Sequence, residues 1–318
     1  MKTPKHWNNI NFVSMILYPL GLLYGLATKL RIKYNKSKKV SIPVICIGNL
    51  TAGGTGKTPV SISIASILQQ QGFNPFFVSR GYGGKLKNIQ VDNNKHTAQQ
   101  CGDEPLLLAR QAPVIVNPDR FNGANTAINN GADIIIMDDG FQNPKLCKDL
   151  SFLVFDGSFG VGNELCIPAG PLRENINDGI KRAQAIIIIG EDKHNLQKRF
   201  NLPCFLANIK PLSQNIDNPN IIAFAGIGNP QKFYNSLKEC GFNLLETYDF
   251  PDHHYYSETE LQNLINLAQQ QNALLYTTSK DFVKIPPQLQ QHFKVLEISI
   301  EWQTPQDLTD FILKQINK

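Results

Sequence analysis

A glycine-rich loop between a predicted strand and a predicted helix constrains the fold of this chain more than any other feature. Residues 42–47, IPVICI, are rich in β-branched side chains, and they lead into the loop GNLTAGGTGKTP at 48–59. A helical segment, VSISIASILQQQG, follows and ends at Gly72. A strand, a loop ending in Gly-Lys-Thr and a helix are the parts of a P-loop, which binds the phosphates of a nucleotide.

Glycines in such a loop let backbone N–H groups point at a phosphate, and the N-terminus of the next helix adds partial positive charge. Lys57 would reach the β- and γ-phosphates, and the Thr58 hydroxyl would bind Mg²⁺. The strict pattern has glycine where this chain has Thr51, and a glycine-rich turn without a ligand is the alternative. The predicted nucleotide-binding residues are Thr51, Ala52, Gly53, Gly54, Thr55, Gly56, Lys57 and Thr58.

The kind of nucleotide is inferred from motifs that the sequence lacks. Ala52 stands where membrane-associated partitioning ATPases carry an extra lysine. There is no Asn-Lys-x-Asp motif for guanine, and Ser-Lys-Asp at 279–281 matches it poorly. These absences favour adenine, so ATP is the predicted nucleotide.

Two carboxylates, Asp138 and Asp139, end the apolar run GADIIIMDDG at 131–140. Buried parallel strands have such continuous apolar sequences, and residues at their carboxyl ends face the ligand crevice. We therefore predict that one of these two residues holds Mg²⁺ or one of its waters, as an acidic partner of a P-loop does. A turn that only ends the strand is the alternative.

Other polar clusters follow predicted strands or lie in glycine and proline loops. An arginine in a glycine loop suits phosphate or transition-state charge, whereas a plain turn or a helix-dipole partner is the structural alternative. The paired histidines lack further metal ligands at workable spacing, so an Asp/His pair that handles a proton is favoured there. These clusters are SRGYGG at 79–84, GDEP at 102–105, NPDR at 117–120, LCIPAGPLRE at 165–174 and DFPDHHY at 249–255.

Charge is distributed unevenly along the 318 residues. Residues 1–91 contain twelve Lys and Arg but no Asp or Glu, so this stretch carries +12, while the remainder carries −7. A basic front suggests an anionic partner near the N-terminus: nucleic acid, phospholipid or an acidic small molecule. The six cysteines form no C-x-x-C pair and no zinc spacing, which favours reduced thiols in the cytosol.

An apolar segment, INFVSMILYPLGLLYGLAT at 10–28, precedes the cationic segment KLRIKYNKSKK at 29–39. This combination matches an interfacial helix anchored over anionic lipid. If the segment spans the membrane instead, its basic side places the body in the cytoplasm. A secretory signal is disfavoured because the charge lies on the wrong side, and a buried N-terminal helix with a solvated basic loop is the other alternative.

The order of apolar runs predicts an α/β fold with three parts. Residues 1–39 form a membrane-interacting helix and basic segment, and residues 40–215 form a P-loop NTPase-like parallel sheet with helices on both faces. The polar, turn-rich stretch SQNIDNPN at 213–220 predicts a boundary, and 216–318 form a second, smaller α/β domain. The predicted strands are IPVICI, PFFV, PVIV, DIIIMDD, SFLVFD and AIIIIG, then IIAFAG, NLLETY, ALLYTT and FKVLEI.

Together these motifs resemble one family, the tetraacyldisaccharide 4′-kinases, which phosphorylate a lipid A precursor. The family usually has His where this chain has Asn143, and Glu in a TTEKD motif where this chain has Ser279. The motifs that carry the resemblance, in the order of the family, are IGNLTAGGTGKTP, SRGYGG, GDEPLLLA, DDGFQ, PAGPLRE, FAGIGNP, FPDHH and TTSKD.

The resemblance implies transfer of the ATP γ-phosphate to the 4′-hydroxyl of a tetraacyldisaccharide 1-phosphate, with Mg²⁺, at the cytoplasmic face of the inner membrane. The product would be the 1,4′-bisphosphate lipid A precursor, lipid IVA. By motif, Asp103 is the implied base toward the sugar hydroxyl, His253 supports it, and His254 is the weaker candidate. Implied substrate contacts are Arg80, Glu104, Arg120, Gln142, Arg173 and Glu174, with Arg120 and Arg173 expected to be exposed.

Two other classes of function stay open from the residues alone. One is a membrane-tethered P-loop ATPase or GTPase that acts as a switch or assembly factor; Ala52 and the missing guanine motif disfavour it. The other is a nucleic-acid-binding protein. The apolar helix before the basic segment and the lack of aromatic–basic interleaving in 29–39 disfavour that class, so no nucleic-acid partner is expected.

Overall fold

The structure is a computed structural model that describes residues 4–212, 216 and 218–317. Its strands are β1 (Val44–Gly48), β2 (Pro75–Ser79), β3 (Ile89–Gln90), β4 (Val114–Val116), β5 (Ile134–Asp138), β6 (Leu150–Asp156), β7 (Ala185–Ile189), β8 (Cys204–Pro211), β9 (Asn220–Ala225), β10 (Asn243–Asp249), β11 (Leu274–Thr278), β12 (Phe293–Leu296) and β13 (Ile298–Trp302). Its α-helices are α1 (Phe12–Tyr34), α2 (Lys57–Gln70), α3 (Ala98–Cys101), α4 (Asp103–Leu108), α5 (Arg120–Asn129), α6 (Ile176–Ile180), α7 (Leu196–Phe200), α8 (Pro230–Glu239), α9 (Glu258–Gln270), α10 (Ser279–Phe282) and α11 (Pro305–Ile316).

Nine of the described strands form a large sheet in the order β13-β8-β7-β6-β1-β5-β2-β4-β3. Neighbouring strands from β8 to β4 are parallel, whereas the edge strands β13 and β3 are antiparallel to their neighbours. Strands β1, β5 and β7 are buried along their whole length, as expected for parallel strands covered on both faces. Since β1 pairs with β5 and β6, the glycine loop leaves the sheet near its centre.

Helices cover both faces of the large sheet. Alternate residues of β1 therefore pack in two separate apolar clusters, one on each face. Ile45 packs in the cluster that contains Ile64 of α2, and α11 adds to the same face. Cys46 packs in the opposite cluster with Ala124 of α5, to which α6 and α7 also contribute. The predicted α/β fold with a P-loop-like parallel sheet is confirmed.

The second, smaller sheet is parallel and has the order β10-β9-β11-β12. Helix α8 packs on one face of it through Phe233 and Leu237, and α9 packs on the other through Leu261 and Ile265. The amphipathic spacing of both helices places these side chains against the sheet. The predicted second α/β unit is therefore present.

The C-terminal end of the chain differs from the prediction that 216–318 form one unit. Strand β13 pairs with β8 of the large sheet, with Ile298 opposite Pro211, and α11 packs on that sheet through Leu308 and Ile312. The chain therefore returns to the large sheet after β12, because the edge strand β8 has a free side that β13 covers. Of the predicted boundary at 213–220, residues 213–215 and 217 lie outside the described residues.

Helix α1 presents its apolar residues to solvent and its small residues to the protein. Phe12 and Leu23 are 78% and 64% exposed, whereas Ser14 is fully buried. A Cβ on Gly21 would approach the carbonyl oxygen of Cys166 to 2.7 Å, so the helix backbone lies directly against that loop. This helix is long and apolar enough to cross a membrane by length and composition, and only 17% of its apolar window is buried.

Candidate active site

The predicted phosphate loop joins β1 to α2 at the carboxyl edge of the large sheet. Gly53 and Gly56 have φ angles of 121° and 84°, which side chains other than glycine rarely tolerate. A Cβ on Gly53 or Gly54 would meet no atom within 4 Å, so there is open space beside the loop. An open glycine loop ahead of a helix N-terminus fits a bound phosphate.

The start of the loop is supported by the loop that contains PAGPLRE. The Asn49 side chain donates to the carbonyl of Thr51 at 2.6 Å and to the Thr55 hydroxyl at 3.2 Å. The Ala52 N–H donates to the carbonyl of Pro171 at 2.7 Å. These hydrogen bonds connect the start of the phosphate loop to Thr55 and to the neighbouring loop.

Asp138 lies directly beside the start of α2. The Thr58 hydroxyl donates to one carboxylate oxygen of Asp138 and the Ser61 hydroxyl donates to the other, both at 2.9 Å. Burial, followed by the negative charge of Glu104, raises the pKa of Asp138 because both disfavour the ionised carboxylate. A bound cation would favour that ionised form.

Asp139 contacts two cations instead. Its carboxylate accepts a hydrogen bond from Arg173 at 2.7 Å and lies 3.8 Å from the Lys57 ammonium. Burial alone would raise the pKa of Asp139, but the charges of Lys57 and Arg173 outweigh it and leave this pKa below its ordinary value. Asp138 is thus the carboxylate that shares a hydrogen bond with Thr58, and Asp139 is the one that orients Lys57.

The donor set at Thr58 and Asp138 fits Mg²⁺. Among the described residues, no group of three or more His, Cys, Asp or Glu is arranged to enclose a metal ion. Mg²⁺ that accompanies a nucleotide needs no such cage, since it keeps several waters and takes one or two protein ligands together with phosphate oxygens. Thr58 and Asp138 supply that number.

Asp103 and His253 are 150 residues apart in the sequence, and the structure brings them into contact. Asp103 begins α4 and is 5% exposed, and one of its oxygens lies 2.9 Å from Nδ1 of His253. His253 has a φ of 60° in the loop after β10, and its N–H donates to the carbonyl of Gly226. His254 contacts Glu260 instead, which leaves His253 as the partner of Asp103.

The two partners shift each other toward an ion pair. The hydrogen bond with Asp103 raises the pKa of His253 above its ordinary value. Burial alone would raise the pKa of Asp103, but the hydrogen bond from His253 and the charge of Lys280 lower it below its ordinary value. Asp103 is therefore ionised at neutral pH.

Lys280 completes this cluster, and no catalytic or binding role was predicted for it from the sequence. Its ammonium lies 3.3 Å from Nε2 of His253, 3.4 Å from Asp252 and 4.0 Å from both Asp103 and Glu104. The sequence signal that could have identified Lys280 is the TTSKD motif at 277–281, which carried part of the family resemblance but was given no function.

Two of the predicted substrate residues, Arg120 and Arg173, are less exposed to solvent than expected. Arg120 is only 5% exposed, because its side chain folds back at the start of α5 and donates to the carbonyl of Asn117. Burial and the neighbouring charge of Arg80 lower the pKa of Arg120 to about 10, so it remains a cation at neutral pH. The Arg173 side chain is 25% exposed and pairs with Asp139, so the expectation of two exposed arginines was wrong.

Gln142 and Glu174 belong to an internal network. The Glu174 side chain, 3% exposed, accepts hydrogen bonds from Arg182 and from Gln142. Gln142 also donates to the carbonyl of Asn49 at 2.8 Å, at the start of the phosphate loop. Arg80 differs from these residues, since it is exposed at the end of β2.

The parallel sheet, the open glycine loop and the Thr58–Asp138 pair define a P-loop protein that binds a nucleoside triphosphate. A model of the tetraacyldisaccharide-1-P 4′-kinase family matches residues 13–317. Tetraacyldisaccharide 4′-kinases of Paramagnetospirillum magneticum and Rhodospirillum centenum are 42% and 41% identical to this chain over 97% of its length, and the matches cover 97% and 95% of those proteins. The chain belongs to the tetraacyldisaccharide-1-P 4′-kinase family.

A solved structure shares the fold along nearly the whole chain. It is the "apo" form of the enzyme of this family from Aquifex aeolicus in complex with ATP, with 27% identity and a TM-score of 0.79 over 96% of this chain and 100% of that one. The family predicted from the motifs is therefore confirmed, and the protein is a kinase. Membership of this family does not favour the alternative of a P-loop switch or assembly factor.

Proposed function

We propose that this protein transfers the γ-phosphate of ATP to the 4′-hydroxyl of a tetraacylated glucosamine disaccharide 1-phosphate. The observation that carries the proposal is the contact between Asp103 and His253, because Asp103 begins α4, which lies against the helix α2 that follows the phosphate loop. Glu104 connects the two, because its charge acts on Asp138 and its carboxylate lies 4.0 Å from Lys280. A phosphate loop alone binds nucleotide, whereas a buried carboxylate beside it can accept the proton of an attacking hydroxyl.

Phosphoryl transfer depends on position and charge more than on covalent chemistry by the protein. When bound, Mg²⁺ neutralises charge on the phosphates, and Thr58 and Asp138 would hold it. Lys57, which Asp139 orients at 3.8 Å, would bind the β- and γ-phosphates. Arg173 donates to the same Asp139 carboxylate oxygen and adds positive charge near the transferred group.

The proton balance assigns a task to Asp103. The 4′-oxygen forms a bond to the γ-phosphorus while the bond from that phosphorus to the bridging oxygen breaks, and ADP leaves. The hydroxyl proton moves to the Asp103 carboxylate. Hydrogen bonds from His253 and from the N–H of Glu104 orient this carboxylate in advance, which reduces the reorganisation that the reaction requires.

We also propose that α1 lies in an anionic membrane surface and brings the site to its acylated substrate. Its apolar residues are exposed, and cations follow at its C-terminal end. Lys29 pairs with Asp178 and Lys39 with Asp149, but both lysine side chains stay more than half exposed, so these pairs leave the basic segment open to lipid.

Lys57→Ala tests the phosphate site. We expect nearly complete loss of label transfer from γ-labelled ATP to the tetraacyldisaccharide 1-phosphate, with an unchanged melting temperature. Lys198→Ala is the matched control, since Lys198 is an exposed lysine on α7. Lack of labelled lipid with the unmodified protein, or normal transfer by folded Lys57→Ala, would contradict the proposal.

A further inference from the structure

Lys280 contacts His253 on the ring nitrogen opposite to Asp103. Its Nζ lies 3.3 Å from Nε2 of His253, while Nδ1 of the same ring lies 2.9 Å from Asp103. The imidazole is thus held between an ammonium and a carboxylate. The Tyr82 ring contacts the imidazole in a T-shaped arrangement, at 5.7 Å between ring centres, on a third side.

The chemistry of the two neighbours determines where the imidazole proton lies. A lysine ammonium has three donors and no acceptor, so a hydrogen bond between Lys280 and Nε2 requires an unprotonated Nε2. In a neutral imidazole the proton is then on Nδ1, where it donates to Asp103. Lys280 remains an ammonium, because its acidic neighbours outweigh its burial and raise its pKa.

The acidic groups around His253 favour the imidazolium, and the charge of Lys280 opposes them. Asp103, Glu104 and Asp252 are acidic, and Lys280 is the cation that contacts the ring. The charge of Lys280 lowers the pKa of His253, whereas the hydrogen bond with Asp103, the largest influence, raises it. The charge of Lys284 also acts on Asp103, whereas burial and the charge of Asp103 raise the pKa values of Cys101 and Tyr255.

We propose that Lys280 is a positioning residue, which opposes protonation of His253 on Nε2, keeps the Nδ1 proton directed at Asp103 and thereby orients Asp103 toward the acceptor hydroxyl. This inference rests on the proposed kinase function. It gives the TTSKD motif a task, which is to orient the Asp103–His253 pair.

One buried residue, Asp281, connects the segment of Lys280 to the loop of His253. Asp281, next to Lys280, is fully buried and accepts hydrogen bonds from the N–H of Gly226 and the hydroxyl of Tyr256. The carbonyl of Gly226 in turn accepts from the N–H of His253. The segment that carries the lysine therefore also fixes the loop that carries the histidine.

Histidine ¹⁵N NMR tests the proton position without any substrate. At a pH of about 8, the unmodified protein should show His253 protonated on Nδ1 and unprotonated on Nε2. Lys280→Met, a neutral side chain of similar length, should raise the His253 pKa by about one pH unit, the value that Coulomb's law gives for charges this close even at the dielectric constant of water. Lys238→Met, an exposed lysine on α8, is the control.

Kinetics provide the second measurement. In Lys280→Met the acid limb of the kcat profile should move up by about one pH unit, so the rate at a fixed pH on that limb falls about tenfold. Lys280→Arg keeps the charge and should restore most of the profile, while the KM for ATP stays unchanged in both variants. Lys280→Gln replaces the methionine variant if that protein does not fold.

Three results would overturn the inference while leaving the kinase function intact. They are a His253 proton on Nε2 in the unmodified protein, an unchanged His253 pKa in Lys280→Met, and a variant that changes only the KM for the lipid. An unmodified protein that transfers no phosphate would instead contradict the proposed function, and the NMR result would still report on the contact.

Discussion

The contact between Glu174 and Arg182 allows a quantitative test of what supports the phosphate loop. Glu174 is almost fully buried, and it accepts from Arg182 and from Gln142, which in turn donates to the carbonyl of Asn49. The substitution Glu174→Ala removes the acceptor of two donors at once. Gln142 then loses the contact that orients it toward the loop.

The expected loss of stability follows from burial. Removing one partner of a buried ion pair costs about 3–5 kcal/mol when the remaining charge stays dry. The Arg182 side chain is 30% exposed, so water reaches its guanidinium, and we expect about 2–3 kcal/mol. At about 2 °C per kcal/mol for a chain of this size, the melting temperature falls by about 5 °C.

A second effect concerns ATP. Because Gln142 and Asn49 hold the start of the loop, one loosened hydrogen bond of about 1 kcal/mol should weaken ATP binding about fivefold. Glu164→Ala is the matched control: Glu164 forms a bidentate pair with Arg199, but the two side chains are 46% and 37% exposed. We expect that control to lose less than about 1 kcal/mol and to bind ATP normally.

Differential scanning fluorimetry and an ATP titration by calorimetry measure both quantities. A Glu174→Ala protein with normal melting temperature and normal ATP affinity, but with a raised KM for the lipid, would refute this reasoning. That result would instead indicate that Glu174 contacts the substrate directly, as the family resemblance implies.

Asp103→Ala and His253→Ala should each lower kcat by about 10²-fold or more. Because the two residues act as a unit, the double variant should be scarcely slower than the slower single variant. Steady-state kinetics measure this, and independent, additive losses of kcat would exclude a joint role. Substitution of both Phe12 and Leu23 by Glu should reduce flotation with anionic vesicles without a change in melting temperature, since both side chains are exposed. Gly21→Leu should instead lower the melting temperature, because a Cβ there would lie 2.7 Å from the Cys166 carbonyl oxygen. Equal melting temperatures for Gly21→Leu and the unmodified protein would contradict the packing of α1.

The elements predicted best are those with strong local signals. The apolar run of β5 and the Gly-Lys-Thr start of α2 needed no knowledge of distant residues, because continuous burial and a glycine loop are written in adjacent positions. Strands β8 and β13 were not predicted. Their outer halves contain exposed polar residues such as Lys210 and Glu301, which pair with each other across the sheet edge and conceal the strand pattern.

In the candidate site, too, local motifs could be predicted from the sequence, whereas contacts between distant residues could not. Asp103 and His253 were named from motifs, and only the fold brings them together. The burial of Arg120 and Glu174 was not predicted, because a charged residue at a strand end or in a loop is usually solvated, and its partners lie in other parts of the chain. Lys280 was overlooked for the same reason.

The return of the chain to the large sheet has a consequence for synthesis on the ribosome. Domains generally fold as units from the N-terminus as the chain emerges. Here the nucleotide-binding sheet exposes the edge of β8 and the apolar surface that Leu308 and Ile312 cover until residues 298–316 have left the exit tunnel. The smaller sheet, β9 to β12, is contiguous in sequence and is complete earlier. A nascent chain stalled before residue 298 would therefore present an open sheet edge to other chains, and truncation at the C-terminus should cause aggregation rather than release of a smaller soluble domain.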